Sequence, residues 1–554
     1  MYNLLVGGAA GQGVDTAVNT LEALLKTAGC GVFTVRDLMS RIRGGHNFSL
    51  VRFGETTPKS HSEELDGIIA LNEETVALHK DKLKQGGFIL CDETVKTDDP
   101  RAITLNMQGI AKLLGSARAS GSVAVGAALR LFSVPIDGAR KVFEKSLKPA
   151  LVEMNVKALE AGWRAVEPRF EHARGSHAGD MIVTGNKALA LGALTAGLQF
   201  YAAYPMSPST SILEYLASVS LKMGIAVEQA EDEIAAVNMA IGASYTGARA
   251  MTGTSGGGFS LKVEALGLAG MAEVPLVLVD VQRPGPVTGL PTRTEQSDLK
   301  FMISASQGEF PRMVIALRHH EDAYRQTIRA FNLAEKYQIP VILLSDQYLA
   351  DSTAAIPVPD PAKAELFVPE DVPANGDYAR YRFTESGISP RKFPGTREGF
   401  VSADSDEHDE YGKIIEDSET RIRMMKKRMG KLELLKQELQ EPELLGDENP
   451  EVLLLGWGSL YGPLEEAVKI LNAQGGARYG ALVFGDVWPL PEKLLREKAK
   501  SAKHLVHVEQ NYTGQLALLI REQTGIRTEK GILKYDGRQL SGQEIARRLH
   551  EEGY

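Results

Sequence analysis

The chain has 554 residues, a formal net charge of −9 and 43% hydrophobic residues. That length exceeds what one hydrophobic core organises and predicts three or four domains of ~100–200 residues each. Basic and acidic side chains are mixed along the sequence without a basic stripe, which argues against a duplex-binding protein.

Residues 3–6 read as a short apolar strand that runs into GGAAGQG at 7–13, and helical spacing follows over 14–28. A strand-like run at 86–92 and a helical run at 150–161 complete a first unit, 1–176, which ends in a polar connector over 167–180. A second glycine-rich unit, 181–350, carries the apolar strands 274–281 and 339–346. From 351 the chain is proline-rich and acidic and reads as extended, and 416–439 has the alternating charges of one long helix, so 351–450 is expected to link and bridge domains. A last unit, 451–554, opens on another strand, glycine turn and helix. Short apolar strands alternating with helical stretches predict a multidomain α/β protein of parallel sheets flanked by helices.

Several of these segments carry chemistry. The turn with Gly11 and Gly13 suits close approach of a phosphate to a helix start, or only a tight connection. Arg41, Arg43 and His46 cluster shortly after it, ready for an anion or for a neighbouring chain's acids. In YPMSPST, 204–210, two prolines stiffen the backbone around Ser207 and give its hydroxyl a set direction, although Ser207, Ser209 or Thr210 can equally start the next helix. Glu228, Glu231, Asp232 and Glu233 then precede a helix rich in small residues, where negative charge also suits the helix dipole. The loop 283–299 presents Arg293 beside Thr292, a fork for a substrate carboxylate or a partner for Glu295 or Asp298. His408 stands among acids without a second spaced histidine, so a charge-paired histidine in a lid or domain-contact loop is expected, and no metal.

YPMSPST and the following EQAEDEIAAVNMAIGASYTGARAMTGTSGGG, 228–258, together resemble the pyrimidine-side domain of the 2-oxoacid:ferredoxin oxidoreductases. Residues 36–54 resemble the gamma-type domain of the same enzymes, and GWGSLYGP at 456–463 with VEQNYTGQL at 508–516 resembles their transketolase C-terminal-like domain. The resemblance implies thiamine diphosphate, with Glu231 on the pyrimidine N1′, Glu233 second in line, and Thr254, Ser255 and Gly256 beside the cofactor. It implies substrate contacts from Tyr204, Pro205, Ser207, Thr292 and Arg293, and coenzyme A or anion contacts from Gly11, Gly13, Arg41 and Arg43. The family usually has YPITPS, so Ser207 keeps the hydroxyl and loses a methyl group.

The family's magnesium-diphosphate segment is not matched by GDVWPLPE at 485–492, and Cys30 and Cys91 are too few for a four-cysteine cluster. The resemblance therefore implies an alpha subunit fused to a gamma-type domain, with Mg2+ and a [4Fe-4S] cluster on a separate beta subunit, ferredoxin as electron acceptor and a dimer of alpha-beta heterodimers. The expected activity is coenzyme A-dependent oxidative decarboxylation of 2-oxoglutarate to succinyl-CoA, reversible with a sufficiently reducing ferredoxin. Pyruvate or a branched-chain 2-oxoacid is the alternative substrate; a transketolase-like subunit and a non-catalytic assembly or nucleotide-binding protein are the alternative classes. No window of ~20 residues is apolar enough to span a bilayer and no secretory leader pattern opens the sequence, so a cytoplasmic protein with no membrane or nucleic-acid partner is expected.

Overall fold

In the computed structural model, residues 1–37, 45–372, 378–395 and 400–554 are described, and they form two compact units. Arg41 and Arg43 lie outside the described residues.

The first unit comprises Met1–Thr184 and Asp351–Pro359. Its strands are Tyr2–Ala9 (β1), Gly31–Asp37 (β2), His46–Gly54 (β3), Leu65–Ala70 (β4), Leu83–Asp92 (β5), Ala102–Leu105 (β6) and Met181–Thr184 (β7). The sequence reading places 181–184 at the start of the second unit and 351–359 in an extended crossing. Instead Thr353–Ile356, which is β14 in chain order, lies between β2 and β7, giving the order β6-β5-β4-β1-β3-β2-β14-β7. Thr353 and Ala354 pair with β2 on one side, and 353–356 pair with β7 on the other. The sheet is mixed: β1 runs parallel to β4 and antiparallel to β3. Val6, Val18, Leu21, Val123 and Leu159 are among the fully enclosed side chains of the core between the sheet and its helices.

The second unit comprises Gly185–Ala350 and Asp360–Tyr554. Phe200–Ala203 (β8), Ala226–Gln229 (β9), Ala250–Thr254 (β10), Leu276–Gln282 (β11), Met313–Ala316 (β12) and Pro340–Asp346 (β13) form parallel ladders. The strand residues of β10 to β13 are buried throughout, as expected where helices cover both faces of a parallel sheet. Near the carboxyl terminus come Glu443–Gly446 (β15), Val452–Trp457 (β16), Tyr479–Phe484 (β17), Asp486–Trp488 (β18), His504–Glu509 (β19) and Lys530–Leu533 (β20). Of these, β18 crosses to the central sheet, whose order is β18-β12-β13-β11-β10-β8-β9, while the rest form a second sheet, β15-β17-β16-β19-β20.

The expected long helix is Ser418–Leu435, and it is tied down by charge. Lys427 and Lys431 both donate to the carboxylate of Glu273, and all three side chains are buried. The arginines beside Glu407 are Arg421 and Arg428, which bind its carboxylate and hold the segment containing His408 on the same helix. Among the described residues no helix is long and apolar enough to cross a membrane.

Candidate active site

In a parallel sheet the loops that leave the carboxyl ends of the strands gather at one edge, and that is where the motif residues of the second unit lie. After β8 the chain enters residues 204–209 before the helix Thr210–Met223. Tyr204 is exposed, whereas Pro205 and Ser207 are half-buried. Asn186 Nδ2 donates to the Pro208 carbonyl (2.9 Å) and to Ser211 Oγ (2.9 Å), and Arg283 Nη1 donates to the Ser207 carbonyl (2.6 Å). The loop is therefore held by backbone contacts that leave the Ser207 side chain uncommitted to helix capping. Ser209 is the residue that precedes the helix, yet its hydroxyl turns back to the Met206 carbonyl (2.7 Å).

After β9, the four acids separate by environment. Asp232 caps the helix Glu233–Tyr245, accepting from the Ala235 N–H at 2.7 Å. Glu228 and Glu231 are exposed. Glu233 is 3% exposed, and its Oε1 is enclosed without a hydrogen-bond partner. Burying an ionisable oxygen with no donor is costly, so such a group marks a place where a donor from outside the chain is expected.

The turn after β10 is shaped around that glutamate. A Cβ at Gly258 would overlap Thr254 Oγ1 and stand 2.5 Å from Glu233 Oε1, so only glycine fits there. Thr254 is buried with its hydroxyl 3.7 Å from Met206 Sδ, Ser255 is buried with an unpartnered Oγ, and Gly256 opens the short helix Gly256–Phe259. Lys262 follows, fully buried, donating to Thr252 Oγ1 at 2.6 Å. Burial lowers its pKa to about 7, against the opposing pull of the Glu233 charge.

From β11 the chain passes through Asp280, Gln282 and Arg283 into the loop that ends at Asp298. Burial raises the pKa of Asp280, and contact with the Asp298 carboxyl raises it further. Arg293 and Thr292 are half-buried. The Arg293 stem packs so closely on Gly537 that a Cβ there would lie 3.0 Å from Arg293 Cβ, and burial lowers the guanidinium's pKa. Thr294 N–H donates to the Gly537 carbonyl (3.3 Å), so the loop is braced by the carboxyl-terminal segment.

His408 is fully buried rather than poised among its acids: Nδ1 lies 3.0 Å from the Asp406 carbonyl and the ring is 4.0 Å from that of Tyr381. Burial lowers its pKa, which disfavours a charged imidazole. Among the described residues no group of three or more His, Cys, Asp or Glu side chains is placed to hold a metal ion.

In the first unit, Gly11 and Gly13 take positive φ (92° and 87°) and line a cavity of about 490 Å³ with Gln12, Thr16, Asp92 and Arg118. His46 does not join an anion site: its Nε2 meets His79 Nε2 at 2.8 Å in a buried pair, and desolvation lowers both pKa values.

The glutamate, the glycine turn and the proline-stiffened loop thus converge at one sheet edge, and the donor that the Glu233 oxygen lacks is of the kind a protonated ring nitrogen of an aminopyrimidine would supply. Sequence reasoning passed over Lys262, Asp280 and the anchoring role of Arg283. The signal for Asp280 was present as a charged residue inside an otherwise apolar strand, VPLVLVDV at 274–281.

Two family models match the chain. The one described as pyruvate flavodoxin/ferredoxin oxidoreductase, thiamine diphosphate-binding, covers residues 191–427, and the one for pyruvate ferredoxin/flavodoxin oxidoreductase covers 3–165. The 2-oxoacid:ferredoxin oxidoreductase subunit alpha of a Sulfolobus species is 34% identical, over 98% of this chain and 96% of its own. The alpha subunit of 2-oxoacid:ferredoxin oxidoreductase 1 of Aeropyrum pernix is 33% identical over the same shares. The solved 2-oxoglutarate:ferredoxin oxidoreductase from Magnetococcus marinus, with 2-oxoglutarate, coenzyme A and succinyl-CoA bound, superposes with a TM-score of 0.93 at 33% identity, covering 100% of this chain and 99% of that one. The chain belongs to the 2-oxoacid:ferredoxin oxidoreductases, as an alpha subunit that carries the family's thiamine diphosphate-binding domain.

Proposed function

We propose that this alpha subunit acts on 2-oxoglutarate and that Glu233, rather than Glu231, is its pyrimidine-side acid. The carrying observation is the enclosed Glu233 oxygen with no donor of its own, packed against the glycine turn at Gly258. Glu231 faces water, where a carboxylate's interaction with a ring nitrogen is strongly screened. Thiamine diphosphate, when bound, supplies the electron sink for decarboxylation. Glu233 would hold the proton shared with the pyrimidine nitrogen, Thr254, Ser255 and Gly256 would border the ring, and the buried surroundings would keep water from that proton.

Ser207, on its braced loop, donates to the substrate, with Tyr204 and Pro205 forming the wall, and Arg293 with Thr292 receives a carboxylate. The products are succinyl-CoA and carbon dioxide, and the electron pair leaves one electron at a time to ferredoxin. Two cysteines cannot ligate a [4Fe-4S] cluster, so the cluster and the Mg2+-diphosphate ligands are assigned to a beta subunit in a dimer of alpha-beta heterodimers. Gly11 and Gly13, in the first unit's cavity, are assigned to coenzyme A, and Arg41 and Arg43 are kept as anion contacts. A cytoplasmic setting accords with two unpaired, buried thiols. The functional modules are read as 1–176, 181–350, 351–450 and 451–554, with the strands at 181–184 and 353–356 lent to the sheet of the first unit.

The test is anaerobic assembly with the beta subunit, followed by 2-oxoglutarate-dependent ferredoxin reduction and exchange of the thiazolium C2 proton. Glu233→Gln is expected to slow exchange by roughly 10²–10⁴-fold and Glu231→Gln by less than about 2-fold. The reverse ranking would return the role to Glu231, and pyruvate turnover above 2-oxoglutarate turnover would overturn the substrate.

A further inference from the structure

A second acidic site lies under the same turn. Asp280 is fully buried near the end of β11, in register with Thr254 of β10. Both its carboxyl oxygens are enclosed and receive no N–H or hydroxyl hydrogen bond from the chain. What they meet is the carboxyl of Asp298. With Asp280 shut off from water and Asp298 half-buried against it, ionising both carboxyls is costly, and one proton held between them removes the repulsion at lowest cost.

The pair bridges elements that must stay together for the site to exist. The Asp298 N–H donates to Gln282 Oε1 at 3.0 Å, and Gln282 Nε2 donates to the Ser345 carbonyl at 3.0 Å, so the carboxyl end of the substrate loop hangs on β11 and β13. On the other side, a Cβ at Gly256 would overlap Asp298 Oδ2, so the carboxyl lies directly against the turn that carries Ser255. Among the described residues, Glu295 on the same loop adds negative field to it, and Glu233 and Lys262 lie beyond Gly258.

We propose that Asp280 and Asp298 share one proton and, as a positioning pair, clamp the turn at residues 255–258 to the substrate loop. The clamp rests on the placement of the cofactor at that turn. Loss of the shared proton puts two like charges in contact, which pushes loop and turn apart; the clamp therefore opens on the alkaline side. An asparagine at either position keeps the bridge, since its amide donates to the remaining carboxylate, and has no proton to lose.

The assembled enzyme, freed of thiamine diphosphate, is titrated with it across pH. The wild type is expected to show an apparent cofactor KM that rises at alkaline pH, and Asp280→Asn and Asp298→Asn to lose that rise while keeping neutral-pH kcat within about 2-fold. Asp298→Ala is expected to raise the cofactor KM about 10-fold at neutral pH with a smaller change in kcat. Infrared spectra of the alpha chain alone, without cofactor, are expected to show a protonated carboxyl band that both asparagine variants lack. Absence of that band in the wild type, or an alkaline rise retained in the asparagine variants, overturns the proposal. A band present with an unchanged cofactor KM in Asp298→Ala overturns the clamp, whereas an unchanged exchange rate in Glu233→Gln overturns the placement of the cofactor itself.

Discussion

Arg283 and Arg293 leave the same loop, and they are bound by different chemistry. The first spends a donor on the Ser207 carbonyl, and the second is braced along its stem by Gly537. Removing Arg293 from a desolvated carboxylate leaves that anion unpaired, so Arg293→Ala is expected to cost on the order of 2–5 kcal/mol in kcat/KM. If the contact is the distal carboxylate, 2-oxoglutarate turnover falls far more than residual pyruvate turnover; equal losses place it at the carboxylate both substrates share. Ser207→Ala, which removes a neutral hydroxyl, is expected to cost roughly 0.5–1.5 kcal/mol in the same assay.

Lys262 gives a pH signature of its own. Its folded pKa is lowered from 10.5 to about 7, so as pH falls through that window the unfolded chain takes up the proton first. Stability contributed here is therefore highest above the window, declines as pH falls through it and is flat below. Lys262→Met is expected to remove that slope, read as the difference between urea midpoints at about pH 7.5 and about pH 9.5. At this scale the sequence marks the acidic motif but not which of its carboxylates is enclosed. Glu231 and Glu233 are both two-carbon carboxylates near a helix start, and what separates them is which side of that start faces the sheet edge.

At the scale of elements, the helix Ser418–Leu435 reads in sequence as a solvent-facing, alternating-charge helix, and its length is close to what the spacing predicts. Its burial is not: Lys427, Arg428 and Lys431 are enclosed, because acids from other segments meet them. Charge periodicity cannot distinguish water from a buried carboxylate as the partner of a lysine. Glu273 is the focus, with Arg380 adding a third positive field. Glu273→Gln leaves two buried ammonium groups without their anion and is expected to destabilise by about 3–5 kcal/mol, with proteolysis of the segment around residues 378–435 rising first. Burial lowers the Lys431 pKa to about 8, so Lys431→Met is expected to be the milder change.

For the whole molecule, the chain carries the thiamine diphosphate-binding domain, in which Glu233 is the proposed pyrimidine-side acid, and its sequence has no matched magnesium-diphosphate segment. Calorimetry on the chain alone is expected to give thiamine diphosphate binding at least ~100-fold weaker than the assembled enzyme, each tenfold step being about 1.4 kcal/mol. Binding of equal strength would show that the chain completes the cofactor site unaided. The α/β class and the parallel central sheet of the second unit were legible because buried strands bounded by glycine turns recur along the chain, whereas the antiparallel pairs of the first unit's mixed sheet were not. The path between units was not, since a strand of four residues such as 353–356 carries too little periodicity to stand out from a proline-rich stretch.

That short strand also sets an order of manufacture. A chain emerging from the ribosome presents β1 to β6 early, yet the slot between β2 and β7 stays open until residues 353–356 have been made, after all of β8 to β13. The first unit thus stays unfinished while the strands of the second unit's central sheet up to β13 are made, and for that interval its β2 edge offers free backbone groups to any passing strand. A transcript cut after residue 346 would yield a product with every motif of the amino-terminal half and a permanently unfinished sheet.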